Sequence, residues 1–292
     1  MSNNIKICTM LSILIIGITF LGIGCVDSEN GADEQMAAEE ELSIIIKGSD
    51  TVLPLSQAEA EEFMYKKPDT SLTVIGGGSG VGIAALIDDE VDIAMASRKM
   101  KDSELENAQS NGVNPIEHVI AWDGISVVVN PENQVSEMTF EQLRAIYNGE
   151  ISNWNEVGGE DRTIAVITRD SSSGTYGYFQ NNVLLGDEYR ADALVQPATG
   201  AIVQETSQNR GAIGYIGFAY LDDSVKGLAL DAGEGAVSPT PDAIISGTYP
   251  LSRPLYYYTD GEPTGLAKEY FDFVMSKEGQ DIVTDVGYFP AV

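Results

Sequence analysis

Three turns in this sequence are built from the same parts. They are Gly48-Ser49-Asp50-Thr51-Val52, Gly76-Gly77-Gly78-Ser79-Gly80-Val81 and Arg169-Asp170-Ser171-Ser172-Ser173-Gly174-Thr175. Glycines let backbone come close to a ligand, and hydroxyls donate neutral hydrogen bonds. Each turn precedes a helical pattern, and a helix start carries unpaired N–H groups and a partial positive charge. Such an arrangement suits an oxyanion. Arg169 adds the one full positive charge among the three turns, on a planar fork that matches two phosphate oxygens. A single turn of this kind reads as a helix cap or a tight bend. Three of them with an arginine point to anion binding.

Other chemistries lack their parts. The chain has one histidine, His118, and two cysteines, Cys8 and Cys25, so no His or Cys pair stands at metal-ligand spacing and a Ser–His–Asp triad is hard to assemble. Gly80–Ala85 fits a loose G-x-G-x-x-A dinucleotide fingerprint, a weak match. A P-loop and a G-x-S-x-G nucleophile elbow are both missing. Neither an enzyme, a cofactor nor a metal is expected.

The elements that must position the turns alternate between strand and helix. Ser43–Lys47 and Ser71–Ile75 are short β-branched runs, and Val91–Ala96 is a third strand. Helical stretches run from Pro54 to about Lys67 and from Val81 to about Asp88. Further on, Ile125–Asn130 begins a strand, Thr139–Tyr147 reads as a helix, and Thr163–Thr168 is a strand that feeds the arginine turn. A helix then runs to about Leu185. Thr199–Gln208 is helical and Gly211–Ile216 strand-like. Leu255–Tyr258 starts a last strand and Leu266–Ser276 a last amphipathic helix. This order predicts an α/β sheet covered by helices, with ligand beyond the carboxyl ends of its strands.

Composition sets the surroundings. The 292 residues are 43% hydrophobic, enough for a real core, and 45 Asp and Glu against 16 Lys and Arg give a formal charge of −29. That charge repels nucleic acid and favours a soluble monomer. Lys6 precedes an apolar run from Leu11 to Ile23 that is short for a membrane span and suits an export signal. The run ends in Leu21-Gly22-Ile23-Gly24-Cys25, like a lipobox, so residues 1–24 are expected to be a signal peptide and Cys25 a lipidated N-terminus. An uncleaved anchor helix is the alternative; either places the rest outside the cytoplasmic membrane. Asp27–Glu41 holds seven acidic residues and no base, and residues 25–41 are expected to be a disordered linker.

Six segments, in order, resemble the substrate-binding protein family of high-affinity phosphate ABC importers: Gly48–Leu55, Gly76–Gly82, Val91–Lys99, Arg169–Thr175, Gly211–Tyr215 and Tyr249–Tyr258. The resemblance implies a two-lobed periplasmic-binding-protein fold of type II, with a cleft between α/β lobes joined by two hinge crossings. Residues 42–122 and 252–292 would form lobe one and residues 123–251 lobe two. Inorganic phosphate would be held by Ser49, Asp50, Thr51, Val52, Ser79 and Ser97 from one side, and by Arg169, Ser173, Gly174 and Thr175 from the other. A membrane permease of the ABC transporter would receive it.

One departure touches specificity. Many members of that family place an aspartate shortly after the third strand, to accept the proton of hydrogen phosphate. Here the position reads Ser97-Arg98. Discrimination against sulfate needs an acceptor, and Asp50, ahead of Asp170, is the candidate. Ser97 and Arg98 are alternatively donors, or Arg98 a member of an ion pair. Sulfate, molybdate and tungstate remain alternative ligands, and a secreted phosphate-releasing hydrolase a more distant reading. His118 reads as a packing or surface residue, and Asp123 and Arg253 as a pair across the hinge.

Overall fold

The structure, a computed structural model, describes residues 43–292. The expected signal peptide, Cys25 and the expected linker lie outside the described residues. No helix among the described residues is long and apolar enough to cross a membrane.

The first strands are β1 (Ser43–Gly48), β2 (Ser71–Ile75) and β3 (Ile93–Ala96), parallel neighbours in the order β2-β1-β3. Helices α1 (Leu53–Lys66) and α2 (Ser79–Ile87) connect them, and α3 (Asp102–Ser110) follows. In β1, Ile44 and Ile46 alternate inward, the period-2 signature of a strand with one buried face. All four residues of β3 are buried, as expected of a strand covered on both faces. Because these strands are parallel, the turns after them gather at one edge of the sheet.

A long strand, β4 (Pro115–Val129), is followed by β5 (Glu137–Thr139), α4 (Phe140–Asn148), β6 (Ala165–Arg169) and α5 (Gly174–Asn182). Next come β7 (Leu194–Gln196), α6 (Thr199–Gln208), β8 (Ala212–Gly217), β9 (Lys226–Gly227), β10 (Ala229–Asp231), β11 (Ala236–Val237) and α7 (Pro241–Ile245). The chain closes with β12 (Ser252–Asp260), α8 (Gly265–Val274), α9 (Lys277–Val286) and β13 (Phe289–Pro290). The main sheet runs β2-β1-β3-β12-β4-β8-β6-β7, with β9 and β13 also pairing β4, and β11-β10-β5 form a small second sheet.

Two strands carry the chain between the two largest of four hydrophobic clusters. Residues 115–124 of β4 pair antiparallel with β12, whereas residues 125–129 pair with β8. One core contains Ile46, Leu55, Ile93, Ala121, Leu255 and Tyr270; the other contains Ile125, Leu143, Trp154, Phe179, Tyr215 and Leu251. The switch therefore falls between Ala121 and Ile125 on the way out, and between Leu251 and Leu255 on the way back. Phe289, near the chain end, crosses back to pack with the second core. This is the two-lobed α/β architecture expected from the sequence.

Boundaries differ from expectation at several elements, with β3 starting at Ile93, β6 at Ala165 and α5 ending at Asn182, and three further cases are instructive. β4 begins at Pro115 rather than Ile125, because its first half is made a strand by β12 and not by local pattern. Leu255–Tyr258 lies within the penultimate strand, since β13 pairs β4 through Phe289 and Pro290. The amphipathic helix stops at Val274. Ser276, taken as its last residue, instead caps α9, its hydroxyl accepting the Gly279 N–H at 3.3 Å.

Candidate anion-binding site

The three turns meet. Gly48 has φ +144°, and a Cβ there would stand 2.1 Å from the Met95 carbonyl oxygen, so only glycine lets β1 end against β3. The following Ser49 N–H then donates to Met95 O at 2.8 Å. Gly78, at φ +100°, turns the chain into α2 and donates its N–H to Gly48 O at 2.8 Å. These contacts bring the first two turns and Ser97, just beyond β3, into one cluster of buried hydroxyls. Ser49 Oγ donates to Ser97 Oγ at 3.0 Å, and Ser79 Oγ accepts the Ser97 N–H at 3.0 Å. All three serines are at most 2% exposed.

The arginine turn closes on this cluster from the second core. Thr51 and Thr175 bring their Oγ1 atoms to 3.0 Å. A Cβ on Gly174 would lie 2.3 Å from Ser79 Oγ and 2.5 Å from Ser97 Oγ, so the start of α5 rests directly on the hydroxyls. Gly80 N–H donates to Ser172 O at 2.9 Å, and Ser172 Oγ to Gly77 O at 3.2 Å. Ser173 caps α5, accepting the Tyr176 N–H at 3.3 Å. Gly177 makes its bond to Ser173 O, which leaves the N–H groups of Gly174 and Thr175 ahead of the intrahelical ladder.

Arg169 lies at the junction. It is 2% exposed; Nη2 donates to Asp50 Oδ2 at 2.7 Å and to Pro197 O at 3.0 Å, and Nη1 donates to Thr199 Oγ1 at 3.0 Å. Its Nε is buried and has no hydrogen-bond partner among the described residues. Such a donor costs free energy unless an acceptor meets it. Asp50 also accepts the Gly77 N–H on Oδ1 at 3.0 Å, so it braces the second turn and the arginine together. The Val52 N–H, expected to face a ligand, bonds Ser49 O at 3.1 Å within its own turn.

Each arginine of the site has a carboxylate partner, and Asp170, the second acceptor candidate, adds a further carboxylate 3.8 Å from Arg169. Arg169 pairs with Asp50 and Arg253 with Asp123, the latter at 2.9 Å. Arg98 grips Glu104 with Nη1 and Nη2, each at 2.7 Å, and so serves as an ion-pair residue. Burial works against the Glu104 charge, but the Arg98 bonds and the Lys101 N–H outweigh it and hold the carboxyl below its ordinary value. With its arginines paired, the site would attract an anion mainly through helix starts, hydroxyls and the free Arg169 Nε.

All ten residues named from the sequence fall in or directly beside this junction. His118 lies apart, bonding Thr259 Oγ1 at 2.9 Å and packing on Phe271. Sequence reasoning missed the outer supports. Tyr220 donates to Asp50 O at 2.9 Å, Tyr288 donates to Thr51 O, and Thr199 and Pro197 hold the guanidinium. Each reaches the site from a distant element, so no local spacing marks it; the helix start at Thr199 was the only available cue.

The PBP superfamily domain matches residues 30–278. Over 96% of its length the chain is 33% identical to the phosphate-binding protein PstS of Bacillus subtilis, covering 93% of that protein. A Clostridium perfringens structure, described as a phosphate ABC transporter substrate-binding protein with bound phosphate, is 36% identical with a TM-score of 0.78; the match covers 86% of this chain and 100% of that one. An ABC-type phosphate transport receptor from Vibrio cholerae is 34% identical with a TM-score of 0.70, covering 84% and 99%. The chain belongs to the PstS-type phosphate-binding proteins of the PBP superfamily, which are solute-binding transport components rather than enzymes.

Proposed function

We propose that this protein captures inorganic phosphate outside the cytoplasmic membrane and delivers it to the permease of an ABC importer. The observation that carries the reading is the meeting of donor-rich helix starts from two cores at Arg169, whose Nε is buried without a partner among the described residues. Phosphate oxygens would be met by the hydroxyls of Thr51, Ser79, Ser173 and Thr175, the Gly174 N–H and the Arg169 guanidinium, with Ser49, Ser97 and Val52 shaping the floor. Lobe one would comprise residues 42–122 and 252–292, and lobe two residues 123–251. Binding would work by closure, because the ligand makes contacts with both lobes only when they approach. The protein acts as a monomer held to the membrane by a lipid on Cys25.

Asp50 is the proposed acceptor of the phosphate proton. Each of its oxygens is engaged once, and a carboxylate oxygen has a second lone pair to offer. The engagement of both oxygens also favours a second reading, a site that takes sulfate, molybdate or tungstate with little discrimination. Calorimetry of the purified protein with phosphate, sulfate and molybdate at several pH values decides between them. Tight phosphate binding with weak sulfate binding is expected, and Asp50→Asn should narrow that preference by roughly tenfold, one hydrogen bond to a charged group. Tight sulfate binding with no response to phosphate would overturn the reading.

A further inference from the structure

The two strands that carry the chain between its cores hold a buried ion pair. Asp123 on β4 and Arg253 on β12 are register partners in the antiparallel ladder, and their residues are 0% and 1% exposed. Arg253 Nε and Nη2 both donate to Asp123 Oδ2, at 3.2 and 2.9 Å. Asp123 Oδ1 accepts the Phe218 N–H at 3.0 Å. A Cβ on Gly217 would stand 3.2 Å from Asp123 Oδ2, so the close fit leaves little room for a side chain there.

The remaining Arg253 donors reach outward in two directions. Nη1 donates to Ser97 O at 3.0 Å, just past β3 on the first-core side. Nη2 donates to Thr175 Oγ1 at 3.1 Å, on the second-core side. The guanidinium also lies 5.6 Å from the centre of the Tyr178 ring, one turn further along α5. The arginine thus spans both sides of the cleft from the point where the chain crosses.

The bond to Thr175 has a chemical consequence. A hydroxyl has one proton and two lone pairs. When Thr175 Oγ1 accepts from a guanidinium, its own proton remains to be donated, and the adjacent positive charge strengthens it as a donor. Thr175 Oγ1 lies 3.0 Å from Thr51 Oγ1, at the junction of the two turns, and either hydroxyl can donate in that contact. With one lone pair occupied by Arg253, the Thr175 proton is available to an anion that comes to the junction.

The geometry points to Arg253, held by Asp123, as a positioning residue for anion binding: it orients the Thr175 hydroxyl as a donor and ties that donor to the hinge. Rotation of one core away from the other separates Ser97 from Thr175, and Arg253 cannot then keep both bonds. The anion and the hinge pair therefore stabilise the same closed arrangement. This rests on the reading that the ligand is inorganic phosphate held at Thr175.

The test is a double-mutant cycle between Arg253→Lys and Thr175→Val, with affinity for inorganic phosphate measured by calorimetry on the full chain. Lys keeps the charge but cannot reach Asp123, Ser97 and Thr175 together. Each single variant should lose phosphate affinity by roughly tenfold or more, the size of one charge-assisted hydrogen bond. The double variant should lose little beyond the worse single one, and Thr175→Ser, which keeps the hydroxyl, should restore affinity. If Arg253→Lys does not fold, Asp123→Asn takes its place in the cycle with the same expectation. Losses that simply multiply in the double variant would overturn the inference, because Arg253 would then act independently of Thr175. A wild-type protein that binds no phosphate contradicts the ligand assignment itself, a result separable from additivity.

Discussion

Two buried arginine–carboxylate pairs sit close together in this protein and are built in opposite ways. Asp123 and Arg253 occupy paired positions on adjacent strands, so the ladder itself brings them together. Asp50 comes from the turn after β1 and Arg169 from the end of β6, packed on different cores, and they meet only because the turns there meet. The hinge pair is sealed, whereas the Asp50 side chain remains 13% exposed. Burying two charges is costly in itself, and such a pair is retained where it fixes one arrangement over others. The strand-borne pair sits where the chain crosses between the cores; the turn-borne pair joins the two sides of the proposed phosphate site. The first pair thus depends on strand pairing and the second on the meeting of two turns, although Arg253 also reaches Thr175 at the site.

Removing one partner of each pair separates these roles. Asp123→Ala leaves Arg253 as an uncompensated buried charge, and breaking a buried pair costs about 3–5 kcal/mol of stability. Urea unfolding should show that loss with and without phosphate; an unchanged midpoint would mean the hinge pair carries no architectural weight. Arg169→Ala should act on binding more than on folding. Truncating one partner of a buried, hydrogen-bonded charge pair at an interface costs about 2–5 kcal/mol, so phosphate affinity should fall by roughly thirtyfold or more. A thermal midpoint that falls as far as that of Asp123→Ala would erase the distinction between the pairs.

A third carboxylate sharpens the comparison because it has no cation. Glu59 on α1 is fully buried, with Oε2 accepting from Tyr257 at 3.1 Å and Oε1 without a partner among the described residues. Burial pushes its carboxyl from the ordinary 4.5 up to about 8, against the hydrogen bonds from Tyr257 and Tyr270. In the unfolded chain Glu59 gives up its proton near 4.5, whereas the fold retains it to about 8. The folded state therefore binds more protons across that window, and the stability contributed by the neutral carboxyl declines as pH rises through it. Glu59→Gln should remove this part of the decline. Identical pH–stability curves for the two proteins would show that Glu59 is not held neutral.

The sequence reveals what short-range pattern can encode. Ser43–Lys47 and Ser71–Ile75 stand out because their β-branched residues favour strand wherever they occur. The turns stand out because glycine and hydroxyl residues before a helix have a local mechanism. Thr51, Ser79, Arg169 and Thr175 were legible for that reason. The first half of β4 was not: Pro115, Glu117 and His118 form a strand only through β12, more than a hundred residues later. Likewise α9 was hidden behind Gly279, whose packing against the carbonyls of Phe273 and Val274 is a tertiary fact. Glu59 reads in sequence as one more acid beside Glu61 and Glu62, and only the tyrosines of β12 and α8 reveal it as buried. Tyr220 and Tyr288 support the site through contacts that no spacing announces, and Thr199 offered only its helix start.

The central claim is that one tetrahedral anion is held where turns from the two cores meet. A crystal structure of the protein grown with inorganic phosphate tests it most directly. Tetrahedral density is expected between Thr51 and Ser79 on one side and Gly174 and Thr175 on the other, with an oxygen accepting from Arg169 Nε and the Asp123–Arg253 pair intact beside it. Phosphate bound outside this junction, or within it without contact to Arg169, would contradict the account.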